Sequence, residues 1–182
     1  MRIGMLTKEY FGIGRKRSGV ADMVRDLSVA LVKKGQRVTV IMGLTEAMPI
    51  AGTKIAQLSV PFDGKEVNVN VHKLQVNDWG PDFLLLDLPI VKIVNPLQSE
   101  NEDVIERQIG LFFDRAAVAL LARIGSEFDV IHTHTGIDFF AYFAKAQQLG
   151  IPVVYTLHNL ERGEELSFDR EEFRQLTGSV PQ

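Results

Sequence analysis

The chain has four histidines among 182 residues, and three of them fall at the ends of short apolar runs. One run, Asp129-Val-Ile-His-Thr-His-Thr, holds His132 and His134. The next, Val153-Val-Tyr-Thr-Leu-His-Asn, holds His158 and Asn159. A neutral imidazole carries one hydrogen-bond donor and one acceptor and titrates near neutrality, so it suits proton transfer, metal ligation or the grip of a polyol. Residues two apart on an extended strand face the same way, so His132 and His134 form a pair able to ligate one metal. Histidine pairs of this spacing serve zinc hydrolases, but the other candidate ligands here are few: His158, Asp138 and Asp129. His158 followed by Asn159 at a strand end would instead hydrogen-bond sugar hydroxyls or support charge developing in a transition state. A third reading is structural, with one histidine capping its strand and another packed in the core. At this level all three stay open.

A second chemical feature is the loop Gly12-Ile-Gly-Arg-Lys-Arg-Ser-Gly19. Backbone amides at a helix N-terminus, with Arg15, Lys16 and Arg17 beside them, make a phosphate cradle. Two standard fingerprints fail there. The dinucleotide pattern G-x-G-x-x-G needs glycine where Arg17 stands, and the P-loop pattern needs a lysine where Val20 follows Gly19. The alternative is a solvated loop with a basic tip. Trp79 offers a surface for stacking, while Phe139, Phe140 and Phe143 are spaced for a helix face and belong to a core.

These residues need a frame. Ile3 to Thr7 is a short apolar strand. The loop is followed by Val20, Met23, Val24, Leu27, Ala30 and Leu31 at helical spacing, with Ser18 as N-cap and Gly35 after the end. Val38 to Met42 is a second strand, so a βαβ unit opens the chain. Residues 44–98 break the rhythm. A hairpin is expected around Pro61-Phe-Asp-Gly64, with a bulge or strand end between Val71 and Leu74 and a further short strand from Phe83 to Leu88. Ser99 and Glu102 have the spacing of a capping box and open a long helix. Strand 129–132, helix 137–149 and strand 152–157 follow, each strand fully buried. Two parallel strands joined by a helix end on the same sheet edge, so His132 or His134 and His158 would share one crevice.

The expected fold is α/β: a Rossmann-like, mostly parallel sheet with helices on both faces and a small antiparallel insertion. Residues 1–160 form the domain, with 44–98 as its hairpin-containing insertion. Residues 161–182 form an acidic amphipathic tail or connector. A net charge of −3 excludes general attraction to nucleic acid or an anionic membrane. The absence of cysteine excludes disulfides and thiolate metal sites, and no apolar run approaches the ~20 residues of a membrane span. The N-terminus lacks a signal-peptide profile, so a cytoplasmic location is expected.

Three segments together carry a family resemblance: MRIGMLTKEY, KRSGVADMVRDLSVALVKKGQRVTVI and DVIHTHTGIDFFAYFAKAQQLGIPVVYTLHNLE. They resemble successive pieces of the N-terminal half of glycogen and starch synthases, and are similar to the wider group of retaining glycosyltransferases built from two Rossmann-like domains (GT-B). The family's loop reads Lys-Thr-Gly-Gly-Leu-Gly-Asp. Here the matching residues are Lys16, Arg17, Ser18, Gly19, Val20, Ala21 and Asp22, so two glycines are replaced. The family's His-Asp-Trp becomes His134-Thr135-Gly136, and its His-Asn-Leu stands as His158-Asn159-Leu160.

The resemblance implies an acceptor-side domain that helps transfer a glucosyl group from a nucleotide sugar to a glucan or small-sugar acceptor. By it, His158 is the catalytic residue beside the transferred sugar. Lys16, Ser18 and Gly19 approach the donor phosphates, and His134 and Asn159 the flanking hydroxyls. It implies no metal and no cofactor beyond the nucleotide sugar. It also implies a second Rossmann domain, from another chain or a homo-oligomer, without which the chain is expected to be inactive. The rival expectations are a non-catalytic glycan-binding or partner-dependent subunit, and a metal-dependent hydrolase built on His132, His134 and His158.

Overall fold

A computed structural model describes residues 1–13, 19–44, 52–76, 80–89, 102–134 (backbone alone for 102–107), 145–156 and 158. In chain order the elements are β1 (Arg2–Thr7), α1 (Val20–Lys33), β2 (Arg37–Leu44), β3 (Thr53–Phe62), β4 (Lys65–Gln75), β5 (Asp82–Asp87), α2 (Glu102–Ile124), β6 (Val130–Thr133) and β7 (Val153–Tyr155). Residues 145–149 are helical. The strands form one sheet in the order β3-β4-β5-β2-β1-β6-β7. From β5 to β7 the neighbours run parallel, and β4 is antiparallel to both β3 and β5. This is the mostly parallel α/β sheet with an antiparallel edge that the sequence leads one to expect.

Strands covered on both faces read as continuous apolar runs, which explains why β1 and β2 are so plain in the sequence. Ile3 and Met5 of β1 meet Val24 of α1 on one face, where Val40, Met42, Phe83 and Leu85 join them. Leu6 turns to the other face, with Ile41, Leu84, Leu86 and Ile131. There α2 lies over the sheet with Leu111, Phe112, Phe113, Ala116 and Ala117 buried. Ala116 and Ala117 carry only a methyl group each, so the helix can sit close to the strands.

Four expectations need correction. The N-cap of α1 is Gly19, which makes no side-chain cap, and not Ser18, which lies outside the described residues. At the other end Gly35 N donates to Val32 O and Gln36 N to Leu31 O, the paired closure expected of a glycine-terminated helix. The bulge falls on β3, between Lys54 and Ala56, and not on β4. The change of parity after Val71 has another cause: Val71 faces the α2 side while Leu74 packs against the α1-side cluster. Strand β7 is three residues long and not fully buried, with Val154 48 % and Tyr155 38 % exposed. Finally β5 is an interior strand, parallel to β2, so only β3 and β4 stand outside the parallel set.

The hairpin turn itself follows from its residues. Asp63 and Gly64 have φ of 50° and 65°, the double positive φ of a two-residue turn whose twist matches the flanking strands. Among the described residues no helix is long and apolar enough to cross a membrane.

Candidate functional site at the ends of β1, β6 and β7

From β1 the chain steps to β2 and β5 on one side, then returns to β6 and β7 on the other. The strand order therefore reverses between β1 and β6. In open α/β sheets ligands bind in the crevice outside the carboxyl ends of the strands at such a switch point. The elements that meet there are the end of β1 at Thr7, the end of β6 at Thr133 and the segment after β7.

Strand pairing carries the histidines to this edge. Met5 is paired with His132, and His132 with Val154. Beyond the strand, His134 N donates to Leu6 O at 2.8 Å, and Thr156 N to Thr133 O at 3.0 Å. His132 and His134 lie on one face as the strand period requires, with ring centroids 4.2 Å apart. The ring of His158 stacks on His134 at 5.3 Å and 29°, with His134 Nδ1 and His158 Nε2 hydrogen-bonded at 3.1 Å. At the far side His132 Nε2 lies 2.7 Å from Thr156 Oγ1. The three rings thus form a row, His132–His134–His158, tied at one end to a threonine.

The middle ring is the most enclosed. His134 is only 7 % exposed, and its Nε2 is buried with no hydrogen-bond partner among the described residues. Burial foremost, then the neighbouring His132 and His158, push its pKa down to about 3. Burial, then His158, lowers that of His132, and burial lowers that of His158. All three act in the same direction because desolvation opposes the charged form. At neutral pH the row is uncharged. It meets hydroxyl groups as neutral imidazoles and offers no cation to a phosphate.

Metal ligation by three histidines needs their nitrogens aimed at a common point. Here Nδ1 of His134 and Nε2 of His158 are engaged with each other. Among the described residues no group of three His, Asp or Glu side chains is arranged to hold a metal ion. Asp129, a candidate ligand by sequence, sits at the opposite end of β6, where both its oxygens accept from Arg2.

The β1–α1 loop starts beside this row. Thr7 is fully buried and its hydroxyl donates to Glu9 O at 2.8 Å, bending the chain as it leaves β1. Ile13 N then donates to Tyr10 O across a tight turn in which Gly12 has φ of 90°. The Tyr10 ring is buried edge-on against Phe83 at 4.8 Å, and its hydroxyl meets Ser28 Oγ at 3.0 Å. Ser28 already donates to Arg25 O, so Tyr10 is the donor. Phe11 points outward under the guanidinium of Arg25, 4.5 Å from the ring centroid. Among the described residues nothing lies within 4 Å of a side chain added at Gly12, so there its backbone conformation is what restricts the position. Gly12→Ala is expected to cost about 1–2 kcal/mol, read from the denaturant midpoint. A wild-type midpoint would show that the turn does not hold this conformation.

Of the residues singled out by sequence, His134 and His158 are brought into direct contact, and His132 joins them. Gly19 caps α1, its carbonyl accepting from Met23 N at 3.1 Å. Lys16, Ser18 and Asn159 lie outside the described residues, as do Trp79, the three phenylalanines 139, 140 and 143, and residues 161–182. Thr156 was not singled out. Its position two residues before His158 is the signal that places it on the same side of the chain. Thr7, Tyr10 and Ser28 were likewise missed, because each acts through a polar atom inside an otherwise apolar pattern.

Fold and site together define a class: a Rossmann-like α/β domain with a row of three histidines at the switch point of its parallel strands. Residues 2–179 match the starch synthase catalytic domain family, and the chain belongs to that family. It is 27 % identical over 180 residues to a glycogen synthase of Photobacterium profundum, covering 87 % of this chain and 33 % of that protein. Its fold is similar to that of the catalytic domain of starch synthase IV from Arabidopsis thaliana, solved bound to ADP and acarbose. That match has a TM-score of 0.62 and 22 % identity, and covers 88 % of this chain and 34 % of the other. The chain spans about a third of the length of these relatives.

Proposed function

We propose that this chain is the acceptor-side half of a retaining glucosyltransferase of the glycogen and starch synthase kind. The donor is a nucleotide-activated glucose, ADP-glucose in the first instance, and the acceptor a glucan or a smaller sugar. The observation that carries this reading is the row of three neutral histidines at the switch point of a chain that belongs to the starch synthase catalytic domain family. His158 stands beside the transferred sugar and Asn159 serves the flanking hydroxyls, while His134, buried behind His158 and bonded to it, acts on the site through that ring. Lys16, Ser18 and the Gly19 amide approach the phosphates at the positive end of α1. An uncharged row suits this division of labour, since a neutral imidazole hydrogen-bonds a sugar oxygen while the phosphate charge is met at the helix terminus.

One wall of a crevice cannot hold a donor from both sides or exclude water from it. Transfer therefore requires a second Rossmann-like domain facing this edge, in the same polypeptide or another, and a cytoplasmic setting accords with the lack of cysteine. The test is a titration of the chain with ADP-glucose and a maltooligosaccharide, followed by amide shifts. Gly19, His134 and His158 are expected to move together. Shifts confined to other regions, or none at millimolar ligand, would overturn the assignment.

A further inference from the structure

The contact between His134 and His158 fixes more than their distance. Nδ1 of one ring and Nε2 of the other lie 3.1 Å apart, so one hydrogen sits between them. A neutral imidazole has one hydrogen to place on two nitrogens, and placing it on one atom settles the other. Two arrangements exist. In the first His158 donates from Nε2, so His134 must carry its own hydrogen on Nε2. That atom is buried and has no acceptor among the described residues, and an orphaned buried N–H is rare in folded proteins. In the second His134 donates from Nδ1, and only a lone pair is left in the buried position. His158 then accepts at Nε2 and carries its hydrogen on Nδ1.

We propose that His134 is a positioning residue: it donates Nδ1–H to Nε2 of His158, and so fixes His158 as the Nδ1–H tautomer, a hydrogen-bond donor on an exposed side chain. The rest of the row keeps His134 in place. His132 lies against its other side with ring centroids 4.2 Å apart, and is itself tied to Thr156 Oγ1. The His134 amide is anchored on Leu6 O, so neither backbone nor ring of this residue is free to turn. His158 itself is exposed, and Nδ1 makes no hydrogen bond among the described residues.

A chemical consequence follows, which rests on the function proposed above. With Nε2 occupied, His158 can only donate to a ligand. It selects an oxygen with a free lone pair, such as a sugar hydroxyl or ring oxygen, and rejects a group that offers only a hydrogen. Without His134 the ring has two tautomers and can meet either kind of group, so the ordering of the site is lost before any ligand arrives.

The experiment is a long-range proton–nitrogen spectrum of the imidazole nitrogens in the ligand-free chain, taken above pH 7. His158 is expected to show a protonated Nδ1 and a bare Nε2, and His134 the same pattern. His134→Phe, which keeps the ring and removes the donor, should convert His158 to a mixture of tautomers. His134→Asn places an amide N–H where Nδ1 was and should restore the single form. A protonated Nε2 on His158 in the wild type overturns the proposal, and so does a His134→Phe spectrum with His158 unchanged. Should His134→Phe not fold, the wild-type pattern together with His134→Asn decides. These spectra need no ligand, so they stand apart from the ADP-glucose titration. A chain with the fixed tautomer that ignores ADP-glucose contradicts the functional reading and leaves the positioning role intact.

Discussion

Lowering the pH from 7 to 5 is expected to remove about 2 kcal/mol of folding stability through His134 alone. The folded chain holds that imidazole neutral down to about pH 3, whereas in the unfolded chain it titrates at its ordinary 6.5. Between those values the unfolded state binds a proton that the folded state does not. Stability therefore rises with pH across this window, at about 1.4 kcal/mol per unit, and levels off above 6.5. His132 and His158 are lowered as well and steepen the upper part of the same slope. The carboxylate of Asp129, held low by its hydrogen bonds to Arg2, titrates below the range in question. Urea midpoints at half-unit steps from pH 7.5 to 5 measure the effect. His134→Asn removes the titrating ring while keeping a donor, and should flatten the slope by about 2 kcal/mol over the interval. A variant as acid-sensitive as the wild type would show that His134 is not the group that resists charging.

Much of this frame is legible in the residues. The runs from Ile3 and from Val38 announce strands covered on both faces, and Asp63-Gly64 announces its turn through the one backbone geometry that needs both residues. The convergence of three histidines was legible too, since strand ends of a parallel sheet share an edge. What was not legible depends on the third dimension. Val153-Val-Tyr is as apolar as the other runs, yet nothing in a run tells whether a layer covers it, and Val154 stands half exposed. Val71 and Leu74 differ in parity because both faces of β4 meet apolar clusters, which a sequence pattern cannot separate from a bulge. The bond between His134 and His158 depends on two ring orientations, and it changes the chemistry most. An alternation pattern puts histidines on one side, but only geometry shows that His134 and His158 occupy each other's nitrogens.

Two phenylalanines near the loop that leads to the site should respond very differently to truncation, with Phe83→Ala costing about 3–5 kcal/mol and Phe11→Ala under about 1 kcal/mol. Phe83 is 1 % exposed on the interior strand β5, among Val40, Met42, Leu85 and the helix α1. It also carries the edge of Tyr10, 4.8 Å away, so its loss opens a cavity under the turn that begins the β1–α1 loop. Phe11 is 42 % exposed and contributes mainly its contact with the Arg25 guanidinium. Against a usual total of about 5–15 kcal/mol, the first loss is a large fraction and the second is not. Tyr10→Phe supplies the intermediate case, because it keeps the ring against Phe83 and removes only the hydrogen bond to Ser28, for about 1 kcal/mol. Denaturant midpoints at constant slope rank the three variants. Equal costs for Phe83→Ala and Phe11→Ala would mean that the loop is not seated on the core through Tyr10. The predicted ranking would place the support of the start of the β1–α1 loop on the α1 face of the sheet, while the histidine row is built from the ends of β6 and β7.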